Sequence, residues 1–269
     1  MRIDVWSQIL TPEMATAPWL ATLNRWTGRT DPSQTEGVEE TIAAMDAAEI
    51  DLSLLSAWYG PSGPLISNEI VADQVARAPD RFRGLASADI RRPGDAAREV
   101  RTWITEYGFV GVRIVPWLWD LPPNDRRYYP IYAACAELGV PLCTQIGHTG
   151  PLLRSETGRP IPYLEDVLLE FPDLKIVGGH LGFPWIDELV SLSIKFPNFY
   201  VDTSAYVARR FPPAFVDFMK GIGRGRVMFG TNWPMLAPAD CLADLASLGL
   251  SETEENAFLG GTARKVFGL

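Results

Sequence analysis

Short runs of β-branched and apolar residues recur along the chain at near-regular spacing, each followed by a stretch whose apolar positions repeat every three to four residues. Such a run reads as a buried strand and the stretch after it as an amphipathic helix, so the alternation predicts βα units around a parallel sheet. Eight runs qualify: Arg2–Trp6, Asp51–Ala57, Phe82–Asp89, Phe109–Val115, Val140–Ile146, Leu174–Gly179, Phe199–Ser204 and Arg226–Thr231. The predicted helices are Gly37–Glu49 (Val38, Ile42 and Met45 on one face), Asn68–Ala78, Gly94–Tyr107, Tyr129–Leu138, Ile161–Phe171, Trp185–Phe196, Pro212–Ile222 and Ala239–Leu248, with Glu252–Phe267 closing the chain. Eight strand–helix repeats predict an α/β fold, a single-domain (β/α)8 TIM barrel over residues 1–269, whose active site forms at the C-terminal ends of the strands. One long irregular stretch, Leu10–Glu36, is rich in Thr, Pro and Trp. Lying between the first strand and first helix, it would hang over the barrel mouth as a lid or subunit contact.

Composition narrows the partners. The 269 residues carry 24 Lys+Arg against 33 Asp+Glu, a net charge of 24 − 33 = −9. That balance repels phosphate backbones and acidic lipid, so neither nucleic acid nor a membrane is expected as a partner. No apolar signal core follows Met1 and no run approaches the ~18 residues of a spanning helix, which points to a soluble, cytoplasmic protein. The three cysteines, Cys135, Cys143 and Cys241, form no C-x-x-C pair and support neither a disulfide framework nor a zinc knuckle. Only two histidines are present, His148 and His180, so a His-rich metal site would need both.

Both fall at predicted strand ends. Strand five ends in Gln145-Ile146-Gly147-His148-Thr149-Gly150 and strand six in Gly178-Gly179-His180-Leu181-Gly182. An imidazole with an ordinary pKa of about 6.5 suits proton transfer near neutrality. Asp202 shares a strand face with Ser204 and Tyr206; it would orient an imidazole, or else be a buried carboxylate held by backbone or hydroxyl donors. Arg113, at the end of strand four, would grip a substrate carboxylate in bidentate fashion or pair with Asp4, which shares a face with Trp6 but lies deeper. Aromatic residues crowd the strand ends: Trp6, Trp58, Tyr59, Trp117, Trp119, Trp185, Tyr206 and Trp233. The loop Pro151–Pro162, with Arg154, Glu156 and Arg159, is expected beside the substrate or as an ordinary solvated connection. Gly221-Ile222-Gly223-Arg224-Gly225 ends a helix and precedes a strand, the reverse of a phosphate-cradling loop, and there is no Gly-x-Ser-x-Gly elbow or His-Glu-x-x-His.

Taken in order, Ile3-Asp4-Val5, Gly147-His148-Thr149-Gly150, Gly179-His180-Leu181-Gly182-Phe183-Pro184-Trp185, Asp202-Thr203-Ser204, Phe229-Gly230-Thr231-Asn232-Trp233-Pro234 and Ala263-Arg264-Lys265-Val266-Phe267 resemble the amidohydrolase superfamily. The likeness is to the branch that includes aminocarboxymuconate semialdehyde decarboxylase, resorcylate decarboxylase and pyrone dicarboxylate lactonase. That resemblance implies a metal held by an Asp-x-His-x-His strand, a strand-five His and a strand-eight Asp. Here the two strand-one histidine positions are Trp6 and Gln8, the strand-eight position is Asn232, and only His148 keeps its type. An indole has no lone pair for a cation and a neutral amide no charge, so no metal and no other cofactor is expected, the open alternative being a rearranged metal site built from His148, His180 and an acid such as Asp202.

The expected function is a metal-independent hydrolase of a small cyclic or aromatic carbonyl compound, planar and possibly acidic. His180 or His148 would activate water, Asn232 with Ser204 or Gln8 would hold the oxyanion, and Arg113 would anchor an acid group. Trp6, Trp117, Tyr206 and Trp233 would wall the substrate. The alternatives are a carboxy-lyase or hydratase of the same branch, and a non-catalytic barrel with an eroded site that binds a ligand or partner. A homodimer is the family-based expectation.

Overall fold

A computed structural model describes residues 1–28 and 35–269. Eight parallel strands follow chain order around one sheet: β1 (Ile3–Ser7), β2 (Leu52–Ser56), β3 (Phe82–Ala86), β4 (Gly111–Ile114), β5 (Leu142–Gln145), β6 (Ile176–Gly179), β7 (Phe199–Asp202) and β8 (Val227–Met228). The ring is completed where the Val5 N–H donates to the Phe229 carbonyl at 3.0 Å and the Gln8 N–H to the Trp233 carbonyl at 3.1 Å. The molecule is therefore the (β/α)8 barrel that the periodicity predicts.

The ladders stop short of the predicted strands. Strand eight ends at Met228, not Thr231, because Thr231–Trp233 cross over to bond β1. Apolar runs report burial, and residues at the mouth are buried under loops without a ladder partner. An antiparallel ribbon, Trp58–Gly60 with Gly63–Ile66, was not predicted, although its Gly60-Pro61-Ser62-Gly63 turn is a hairpin signal. The predicted Ala239–Leu248 helix is a short helix, Pro238–Leu242, and a 3-10 turn, Leu245–Leu248.

Inside the barrel, Ile3, Val5, Leu52, Leu54, Leu85, Cys143, Val177 and Met228 form a lower plug that Ala263, Val266 and Phe267 of the last helix close off. The larger apolar layer lies between strands and helices, with Val112, Ile114, Ile176 and Val201 among its buried members. β1 breaks its alternation above the plug: the Trp6 N–H bonds back to Asp4 Oδ1 at 3.1 Å, and the register to β2 shifts between Asp4 and Ser7. Such a bulge puts consecutive residues on one side. Val5 and Trp6 both face inward, while Asp4 turns to β8, so the expected common face of Asp4 and Trp6 is not found.

The stretch expected to be irregular, Leu10–Glu36, holds two short helices, Pro12–Ala15 and Ala21–Thr27, and residues 29–34 of it lie outside the described residues. Leu10, Met14, Trp19, Leu20 and Leu23 roof a cavity at the barrel mouth. Among the described residues no helix is long and apolar enough to cross a membrane.

Candidate active site

Among the described residues, four of the six non-glycine residues with positive φ sit at the ends of three adjacent strands: His180 (φ 72°) and Leu181 (58°) after β6, Ala205 (67°) after β7 and Asn232 (68°) after β8. Left-handed backbone is disfavoured for side-chain-bearing residues and gathers where geometry serves a site. Gly179, just before His180, is required by packing, since a Cβ there would lie 2.4 Å from Trp6 Cζ3. The turn carries the imidazole over the Trp6 edge, with ring centroids 4.8 Å apart.

His180 Nδ1 lies 2.6 Å from Ser204 Oγ. Ser204 donates its hydroxyl in a short bond to Asp202 Oδ1, which also accepts the Ser204 N–H at 2.9 Å. Burial, ahead of the Arg113 guanidinium and His148, pushes the imidazole down to about 3. Burial also pushes Asp202 up to about 6, against the lowering effect of the Ser204 bonds and of Arg113.

Gln8 and Asn232 are a unit. Gln8 Nε2 donates to Asn232 Oδ1 at 3.2 Å and, in a short bond, to the Trp233 carbonyl. With its oxygen engaged, Asn232 has its amide N–H groups to offer a ligand. Gln145 accepts a short bond from Trp117 Nε1 and donates to the His148 carbonyl at 2.9 Å. His148 itself is exposed, its Nδ1 3.4 Å from Ser155 Oγ.

These groups border a cavity of about 470 Å3. Trp19, Trp58, Trp117, Tyr206 and Met235 supply its apolar wall, and Trp117 meets Trp19 and Trp58 edge-on at 5.2 and 6.0 Å. Arg209, Arg210 and Asp240 also line it. Arg209 is tied to Asp244 at 3.0 Å, whereas Arg210 makes no ion pair among the described residues.

Of the eleven residues expected from the sequence to act in catalysis or touch the substrate, His180, His148, Asn232, Gln8, Trp117 and Tyr206 line the cavity. Five do not. Arg113 is fully buried, its guanidinium 3.7 Å from the Trp6 ring centroid and its Nη2 donating to the Val5 carbonyl at 2.9 Å, so it neither reaches a substrate carboxylate nor pairs with Asp4. Trp6 is fully buried between that guanidinium and Gly179 and offers no platform to a ligand. Trp233 turns its indole to Thr41 Oγ1 at 3.0 Å. Ser204 and Asp202 stand behind His180 and are too deep to hold an oxyanion or a water in the cavity. Asp4 accepts from Thr231 N at 3.0 Å and Thr231 Oγ1 at 2.6 Å, and burial pushes it up to about 7. Sequence reasoning missed Gln145 and the arginine pair; the latter's signal was its place in the loop after strand seven, on the mouth side.

A (β/α)8 barrel with histidines at the ends of β5 and β6 defines the class. The amidohydrolase family model (Amidohydro_2) matches residues 33–269, and the chain belongs to that family. It is similar to gamma-resorcylate decarboxylase of Rhodococcus jostii, 28% identical over 62% of this chain and 65% of that one. The match thus spans just under two thirds of that curated relative. The Polaromonas gamma-resorcylate decarboxylase is 25% identical over 87% and 84% of the two chains. Among solved structures, an uncharacterised TIM-barrel protein from Bordetella bronchiseptica superposes with a TM-score of 0.85 at 23% identity, covering 99% of this chain and 98% of that one. A Polaromonas dihydroxybenzoic acid decarboxylase, solved with bound manganese and the inhibitor 2-nitroresorcinol, gives 0.77 at 21%, covering 100% and 97%.

That bound manganese overturns the expectation of no cofactor as a statement about the family. In this chain the donors do not fit such an ion: no group of three or more His, Cys, Asp or Glu among the described residues could hold one. An indole fills the β1 position, a guanidinium already lies over it, and Nδ1 of His180 is engaged by Ser204.

Proposed function

We propose that this chain is a carboxy-lyase that releases CO2 from a small, hydroxylated aromatic acid. The observation that carries the proposal is the cavity: tryptophans wall it, one buried imidazole borders it, and arginines line it. The decarboxylase relatives support the reaction class. A ring slots between the Trp19, Trp58 and Trp117 faces and the Tyr206 side. Arg209 and Arg210 draw the acid in, because an arginine fork matches a carboxylate. Asn232, held by Gln8, donates to a ring hydroxyl.

The ring carbon bearing the carboxyl then takes a proton from the His180 side. As the bond to the carboxyl carbon breaks, its electron pair restores the aromatic ring and CO2 leaves. The roof built by residues 10–28 keeps water from competing. Turnover of a panel of hydroxybenzoates, followed as CO2 release, is the test; His180→Ala should lose at least about 10²-fold in kcat. If no member of the panel yields CO2 and a cyclic ester is hydrolysed instead, the proposal is wrong.

A second reading, hydrolysis, is favoured by one observation: the Ser204 and Asp202 bonds engage Nδ1 of His180 and leave Nε2 as the nitrogen that could take a proton from water.

A further inference from the structure

The bonds behind His180 dictate its tautomer. Ser204 has one hydroxyl proton, and it goes to Asp202 Oδ1. Its 2.6 Å contact with His180 Nδ1 therefore needs the proton to sit on Nδ1. A neutral imidazole has only one such proton, so Nε2 is bare and is the nitrogen left for the cavity. All three side chains are buried.

We infer that Asp202, Ser204 and His180 form a proton wire, in which the proton that His180 exchanges with the cavity is stored on Asp202. Delivery moves three protons. Nε2–H goes to the substrate carbon, the Ser204 hydroxyl proton goes to Nδ1, and the Asp202 proton goes to Ser204 Oγ. The net change is one proton lost from Asp202, which becomes a carboxylate again accepting from Ser204; solvent returns the proton along the reverse path. The direction of delivery rests on the carboxy-lyase reading, whereas the wire itself does not.

The surroundings favour storage on the carboxyl. Arg113 from β4 and His148 from the β5 loop face His180 and disfavour an imidazolium. Arg113, Asp4 from β1 and Cys143 from β5 surround Asp202. Burial dominates at both groups, pushing the imidazole to about 3 and the carboxyl to about 6. An added proton thus neutralises a buried carboxylate instead of creating a buried cation, the cheaper outcome in a low dielectric.

With two histidines in the chain, nitrogen NMR of histidine-labelled protein shows only two rings, and His148→Ala assigns them. At about pH 8 the His180 ring should be neutral with Nδ1 protonated. As the pH falls through about 6 it should stay neutral and switch to Nε2–H, as Asp202 fills and Ser204 turns its proton to Nδ1. Asp202→Asn should keep the high-pH spectrum and abolish the switch; Ser204→Ala should abolish it too and lower kcat by about 10²-fold. An Nε2–H ring at pH 8, or an imidazolium signature appearing near pH 6, would overturn the wire. The resting spectrum needs no substrate, so a missing switch leaves the carboxy-lyase reading intact, and a missing CO2 signal leaves the wire intact.

Discussion

The direction of the pH profile separates the two chemistries that the site could perform. A decarboxylating wire must start loaded, and burial raises Asp202 from 3.8 to about 6, so it keeps its proton to higher pH than a free carboxyl. The loaded fraction is then about 0.9 at pH 5, about 0.09 at pH 7 and about 0.01 at pH 8 for an apparent value near 6. For CO2 release, kcat/KM should be level in acid and fall about tenfold per pH unit above ~6. A hydrolytic wire must start empty, and its profile is the mirror image, rising with pH and levelling above ~6. Initial rates from about pH 5 to 8 at constant ionic strength, read by CO2 release with the substrate far below KM, give the limb directly. Asp202→Asn should flatten it in either case, because the proton store is gone. A rising limb near 6 would refute the loaded-wire reasoning, and a profile unchanged by Asp202→Asn would refute the assignment to Asp202.

Three further outcomes follow from contacts. Asp4→Ala leaves the Trp6 and Thr231 N–H groups and the Thr231 hydroxyl without their acceptor, so urea unfolding should show a loss of about 3 kcal/mol, against about 1 or less for Asp4→Asn, which keeps an acceptor. A loss under ~0.5 kcal/mol for the alanine variant would contradict the Asp4–Thr231 clamp as a closure of the barrel. Gly179→Ala drives a methyl into the Trp6 ring, which Arg113 backs at 3.7 Å; a cost of about 2–3 kcal/mol is expected, shrinking by at least ~1 in a Trp6→Phe background. Arg210→Ala should raise KM for an acidic substrate about tenfold and leave a neutral ring analogue unaffected, and an equal effect on both would remove Arg210 from carboxylate binding.

The fold was legible because a barrel repeats one unit, and eight apolar runs with eight amphipathic stretches leave little else to build. Six of the eleven residues singled out line the cavity, since a residue past a strand's C-terminal end is carried to the mouth whatever its side chain does. The failures are of two physical kinds. Strand alternation placed Asp4 with Trp6 because a bulge is invisible in a pattern of residue types. Depth along a strand was equally invisible: Arg113 and Trp6 were assigned to a ligand, yet each is the other's packing partner, a guanidinium on an indole face below the cavity. That pairing gives a physical account of the residues found where the resemblance implies a metal. Trp6 fills the place with an apolar face that Arg113 can cover and Gly179 can accommodate, while Gln8 turns to Asn232 and fixes its amide. Gln8 and Asn232 are expected from the sequence as two donors to one oxyanion, but Gln8 bonds the Asn232 oxygen and the pair is a single device. Both line the cavity and Gln8 occupies the Asn232 oxygen, so under the proposed function a change at either position should be felt at the same ring hydroxyl.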